Sequence, residues 1–100
     1  MTTTSLEPKN DKPLFDLGRL TATQSALHFL ERIEIQPLLL LRRHVVGDWG
    51  DLDHGDIEAN KQSIQDGSRI LSAYLLQNEK VYVITEGDRS ITTILMASEY

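Results

Sequence analysis

Between His44 and Asp56 the chain gathers four aspartates, two histidines and its only tryptophan, in the order His-Val-Val-Gly-Asp-Trp-Gly-Asp-Leu-Asp-His-Gly-Asp. Carboxylates and imidazoles at that density are the groups that hold a divalent metal or share acid and base work. The spacing argues against both metal classes. An EF-hand needs acidic ligands at alternate positions, then a glycine and a distal glutamate; Asp51-Leu52-Asp53-His54-Gly55 breaks off early and Gln62 stands where the glutamate belongs. A zinc site on His44 and His54 needs two further ligands from a chain that has no cysteine. No metal and no cofactor is expected.

Two readings of this stretch remain. In the structural one, Gly47 and Gly50 shape a tight turn, Trp49 plugs the gap between neighbouring helices, and Asp48, Asp51 and Asp53 cap or solvate the loop. In the second, Trp49 is exposed among its acids and anchors a protein partner, as aromatics do at interface hot spots. A smaller cluster, Glu86-Gly87-Asp88-Arg89-Ser90, reads as a hairpin turn with Gly87 at a positive φ and a local Asp88 or Glu86 pair to Arg89; alternatively Arg89 reads a phosphate or carboxylate. Asn60 shares a helical face with Ile57 and Ile64, a place for an amide that braces neighbouring backbone. Arg42 and Arg43 read as helix-end cations, and His28 as a boundary residue. No nucleophile elbow, phosphate loop, dinucleotide fingerprint or zinc-protease motif is present, and Ser63, Ser68, Ser72 and Ser90 have no visible base beside them, which weighs against an enzyme.

The elements that must position these groups follow from the pattern. Met1 to Pro13 is polar with one large apolar residue, Leu6, and reads as a flexible tail; residues 14–100 form a single domain. Leu14 to Leu20 suits a short extended segment laid along the domain, not a full strand. Thr21 or Thr23 caps a first helix over residues 23–34, whose Ala26, Leu27, Phe29, Leu30 and Ile33 recur at helical spacing. Pro37 opens a second helix that buries the Leu38–Leu41 run and stops at Gly47. Asp53 caps a third, with Asp56 three residues on, and Gly67 ends it. Residues 69–76, 81–86 and 91–96 are rich in Ile, Val, Thr and Tyr and are separated by short turns, which predicts three antiparallel strands. The expected fold is therefore α+β, about three N-terminal helices packed on a C-terminal three-stranded antiparallel sheet.

Composition narrows the function classes. Ten Lys and Arg against fifteen Asp and Glu leave a net charge of −5, which disfavours nucleic acid and anionic lipid and favours a basic protein surface. The longest apolar run is far below the roughly 20 residues needed to span a bilayer. The start carries neither a basic n-region nor an apolar h-region, so the cytoplasm is the expected compartment.

From Leu14 to Tyr100 the chain resembles a family of small uncharacterised proteobacterial proteins labelled plasmid-related, found on plasmids and integrative elements. The resemblance rests on Leu14-Phe15-Asp16-Leu17-Gly18; Arg43-His44-x-x-Gly47-Asp48-Trp49-Gly50-Asp51-Leu52; Asn60; Gly67-x-Arg69-Ile70-Leu71-Ser72-x-Tyr74; Val83-Ile84-Thr85-Glu86-x-Asp88-Arg89-Ser90-x-Thr92-Thr93-x-Leu95; and Glu99-Tyr100. Gly87 and Ala97 depart from the family's alanine and nearby proline, which touches only local turn geometry. The resemblance implies a genomic setting, not an activity. The function expected is that of a mobile-element accessory protein, a non-enzymatic interaction module that meets a host or element-encoded protein through the Trp49 loop, with an anti-restriction or anti-defence role as one version. The alternative is a small enzyme or ligand-binding domain in which His44, Asp48 and Asp51 meet Asp88 and Arg89 across a cleft. Self-association through the sheet, as a homodimer, is a third reading, because an open sheet has edges to cover.

Overall fold

A computed structural model describes residues 12–100; of the expected tail, Met1 to Pro13, residues 1–11 lie outside them. In chain order the elements are β1 (Arg19–Ala22), α1 (Gln24–Arg32), α2 (Pro37–Val45), α3 (His54–Asp66), β2 (Ile70–Leu76), β3 (Glu79–Thr85) and β4 (Ile91–Met96), closed by a 3₁₀ turn, Ala97–Glu99. The α+β class holds. The sheet does not match the expectation: it has four strands in the order β1-β4-β3-β2, with β1 parallel to β4 and the other pairs antiparallel. One strand therefore precedes the helices. Arg19-Leu20-Thr21-Ala22 shows no period of its own, and its register, Leu20 opposite Thr92 and Ala22 opposite Ile94, is set by a partner some 70 residues away.

The helix boundaries follow their caps. Thr23 Oγ1 accepts from the Ala26 amide at 3.1 Å, Pro37 starts α2, Asp53 Oδ1 accepts from the Asp56 amide at 2.8 Å, and Gly67 ends α3 in the left-handed conformation. Gln77 and Asn78, both at positive φ, close the β2–β3 hairpin in two residues. The next turn corrects an expectation. Its left-handed residue is Arg89 (φ 60°), and Gly87 is required for space instead, because a Cβ there would meet the Gly67 carbonyl oxygen at 2.6 Å.

Ala26, Phe29 and Leu30 of α1 and Leu40 and Leu41 of α2 pack on one face of the sheet, against Tyr74, Val81, Val83, Ile94 and Met96. Burying side chains of this size contributes about 1.5–3 kcal/mol each. On the opposite face, Tyr100 packs edge-on against Tyr82 with ring centroids 5.6 Å apart, and its hydroxyl accepts from the Arg69 guanidinium.

Candidate functional site

The chain from Trp49 to Asp51 lies along the outer edge of β2 and pairs with it. The Ala73 amide donates to the Trp49 carbonyl at 3.0 Å, and the Asp51 amide donates to the Ala73 carbonyl at 2.6 Å. Gly50 makes that approach feasible: its φ is +78°, and a Cβ would sit 2.6 Å from Tyr74 Cδ1. Asp51 Oδ2 accepts from the Leu75 amide at 2.8 Å. Farther along, Asn60 copies a strand. Its Nδ2 donates to the Leu71 carbonyl at 2.7 Å and its Oδ1 accepts from the Leu71 amide at 3.0 Å, so the bracing expected of that amide is present, on β2 itself.

Trp49 is 6% exposed, and its indole N–H donates to the His44 carbonyl at 3.0 Å. The reading of Trp49 as a surface anchor is therefore corrected; the indole is a wedge. Asp48 is turned back on Arg43, which donates to it from Nε at 2.7 Å and from Nη2 at 3.2 Å and holds the carboxyl below the usual carboxylate range. The Arg43 guanidinium also lies 4.4 Å from the centroid of the Tyr74 ring, and the Tyr74 hydroxyl donates to the Asp48 carbonyl at 2.7 Å. Burial pushes that hydroxyl's pKa up.

At the β3–β4 turn the expected local ion pair is absent. Glu86 faces Arg69 at 3.7 Å, whereas Arg89 donates to the carbonyls of Ser63 (2.9 Å), Ser68 (2.7 Å), Gly87 (3.1 Å) and Glu86 (3.2 Å). Ser63 lies in the last turn of α3 and its carbonyl also accepts from the Gly67 amide at 2.9 Å, so Arg89 adds a second donor there and ties the helix end to the β3–β4 turn. The carboxylate of Asp88 accepts from the Ser90 amide at 3.0 Å, and bonds to Ser90, side chain first, hold its pKa low.

His44 is fully buried and bonds to none of the aspartates. Its Nδ1 stands 2.6 Å from Ser72 Oγ and its Nε2 2.9 Å from Thr85 Oγ1; Thr85 Oγ1 is 2.7 Å from Thr92 Oγ1, which donates to the Leu17 carbonyl at 2.7 Å. Donor bookkeeping along this chain assigns the tautomer. Thr92 uses its hydrogen on Leu17, so Thr85 donates to Thr92, His44 donates from Nε2 to Thr85, and the Ser72 hydroxyl donates to Nδ1. Burial lowers the imidazole pKa from 6.5 to about 4, so it is neutral at pH 7. Phe15 stands between His44 and Arg89, its ring centroid 5.2 Å from the imidazole and 5.7 Å from the guanidinium carbon.

The six sequence-selected residues thus serve different neighbours: His44 the relay, Trp49 the His44 carbonyl, Asp48 Arg43, Asp51 β2, Asp88 its own turn, and Arg89 its own turn and the end of α3. Among the described residues no group of three or more histidines and acids stands ready for a metal. Of the relay partners, Thr85 and Thr92 carry no sequence motif, and Ser72, expected to have no base beside it, stands 2.6 Å from His44 Nδ1. Their signal was there: each is a hydroxyl on the inward alternation of its strand, where Ile70, Tyr74, Val81, Val83, Ile94 and Met96 are apolar.

Arg89 and Trp49 border separate surface clefts of about 620 and 410 Å³, and two more lie at the corner between α1 and α2. Around the corner between α1 and α2 a cleft of about 480 Å³ includes Leu27, Glu31 and Glu34, and a second of about 450 Å³ includes Glu34, Leu38 and Leu39. Leu27, Leu38 and Leu39 are 42%, 58% and 51% exposed. Among the described residues no helix is long and apolar enough to cross a membrane. No family model, no curated protein and no solved structure matches the chain.

Proposed function

We propose that this chain works by protein contact and not by chemistry, as an accessory protein of a plasmid or integrative element whose partner-facing surface is the α1–α2 corner. The observation that carries this reading is the contrast between its polar groups and its leucines. His44, Asp51 and Arg89 are committed to holding the fold, while Leu27, Leu38 and Leu39 stand in solvent beside Glu31 and Glu34. Glu34 sits at φ +61°, a conformation in which a side chain costs about 1–2 kcal/mol relative to glycine. An apolar surface with Glu31 and Glu34 on the α1 side and Arg42 beside Leu38 and Leu39, on a chain of net charge −5, suits a partner segment that presents aliphatic anchors with Lys or Arg on the side that meets the glutamates. An anti-restriction or other anti-defence role fits the same acidic character, and the genomic setting rests on the family resemblance.

The test pairs identification with reconstitution. A partner recovered from cells and then purified should bind the wild type and lose at least about tenfold in affinity to Leu38→Ser/Leu39→Ser, with thermal unfolding of the chain unchanged. Equal affinity for the corner variant would reject this surface. Plating of phage on cells with and without a restriction system, each expressing the chain, reads the anti-defence version directly.

A further inference from the structure

The outer edge of β1 carries a second, independent contact surface. Arg19 N–H donates to Ser90 C=O and Thr23 N–H to Ile94 C=O, each at 2.9 Å, so odd-numbered residues of this strand turn their backbone toward β4. Leu20 and Ala22 consequently turn their N–H and C=O groups outward. Nothing among the described residues pairs with them, and the Leu20 side chain is 50% exposed.

We infer that β1 is the seam of a homodimer, in which Leu20 and Ala22 of one copy pair antiparallel with Ala22 and Leu20 of a second copy about a two-fold axis at Thr21. A second copy is favoured over a foreign strand because the edge is complementary to itself. In that register Arg19 falls opposite the second copy's Thr23. The Thr23 hydroxyl donates to Glu99 Oε1 at 2.8 Å, and the same oxygen accepts from the Met96 amide at 2.8 Å, which fixes that carboxylate beside the end of the strand. Arg19 is exposed and makes no ion pair among the described residues. Antiparallel pairing therefore brings both guanidiniums to both carboxylates at once, and the rest of the seam, Leu20, Thr21 and Ala22, is uncharged. The dimer joins the two sheets into one and uses neither the α1–α2 corner nor any partner bound there.

Sedimentation of the full chain across a wide concentration range, with amide exchange followed by NMR, tests this. Dimer is expected to accumulate with concentration, and the Leu20 and Ala22 amides to gain protection in step with it. Leu20→Pro, which deletes only an outward donor, should abolish the dimer. Arg19→Glu, which leaves the backbone intact, should weaken it by about tenfold at low salt, and Arg19→Glu/Glu99→Arg should restore it. A chain that is monomeric at every concentration overturns the inference. So does a dimer that survives both single substitutions, since its contact must lie elsewhere. Protection of Leu20 and Ala22 that does not change with concentration assigns the edge to the chain's own N-terminal residues and equally overturns it.

Discussion

The two edges of this sheet are handled in opposite ways. Along β2, the Leu71 N–H and C=O, the Ala73 N–H and C=O and the Leu75 N–H all end on Asn60, Trp49 or Asp51. Along β1, Leu20 and Ala22 face outward with no partner among the described residues. An unpaired edge is a template for another strand, so sealing one edge restricts where a second chain can add. The aspartate- and tryptophan-rich stretch, which has the composition of a site, is what does the sealing. With Asn60 of α3 it imitates a further strand: the stretch supplies loop backbone and one carboxylate, and the helix supplies the carboxamide.

Between the edges runs the His44 relay, which touches β2 through Ser72, β3 through Thr85, β4 through Thr92 and the approach to β1 through Leu17. The contrast predicts that damage on the β2 side unfolds the protein. Trp49→Ala leaves a cavity under the sealed edge and should cost about 3–5 kcal/mol, read as a fall in the urea midpoint at unchanged slope. A midpoint shifted by less than a third of that would make the indole a surface group after all.

The relay comes next in size. The folded imidazole titrates near 4 and the unfolded one near 6.5, so between those values the unfolded chain binds more protons and stability falls as pH falls. The His44 contribution is complete above pH 6.5 and is lost on the way down to about 4, a change on the order of 3 kcal/mol. Urea unfolding at a series of pH values should show this slope in the wild type and not in His44→Gln. Asn60→Ala should cost about 2 kcal/mol, because it strands the Leu71 N–H and C=O together. Asn60→Asp should be no better, since a carboxylate can accept from the amide but offers nothing to the carbonyl. Exchange of the β2 amides is the check, and recovery by Asp would mean that only the amide bond matters.

Much of the fold was legible because it is local. Thr23, Pro37, Asp53 and Gly67 mark helix ends through bonds or φ values within a few residues of themselves, and Gln77-Asn78 sets a hairpin the same way. β1 escaped because its pairing lies far away in the chain and four residues carry no pattern. The candidate site misled for a related reason. Composition at residues 44–56 reports which groups are available, but whether an aspartate holds a ligand or a strand depends on β2, more than twenty residues later. Asn60 was readable because a carboxamide on an apolar helical face demands a backbone partner wherever that partner lies. Ser72, Thr85 and Thr92 carried the same kind of demand, spread over three strands and visible only once their inward faces were aligned.

The smallest effect separates backbone from side chain within the sealing loop. Asp48 contributes its carbonyl to the Tyr74 hydroxyl, a bond that any residue at that position can keep. Its carboxylate meets only Arg43 and Gly50, and the Arg43 pair is half in water, with the two side chains 36% and 52% exposed. Asp48→Asn should therefore cost about 0–1 kcal/mol, and the deficit should shrink in high salt as the pair is screened. Asp51→Asn bears on the edge itself: it replaces the carboxylate that accepts from the Leu75 amide with a weaker, neutral acceptor, and should cost more than Asp48→Asn at every salt concentration. Side-by-side urea titrations of the two variants decide it. Equal losses would mean that the loop is held by its charges and not by its pairing to β2.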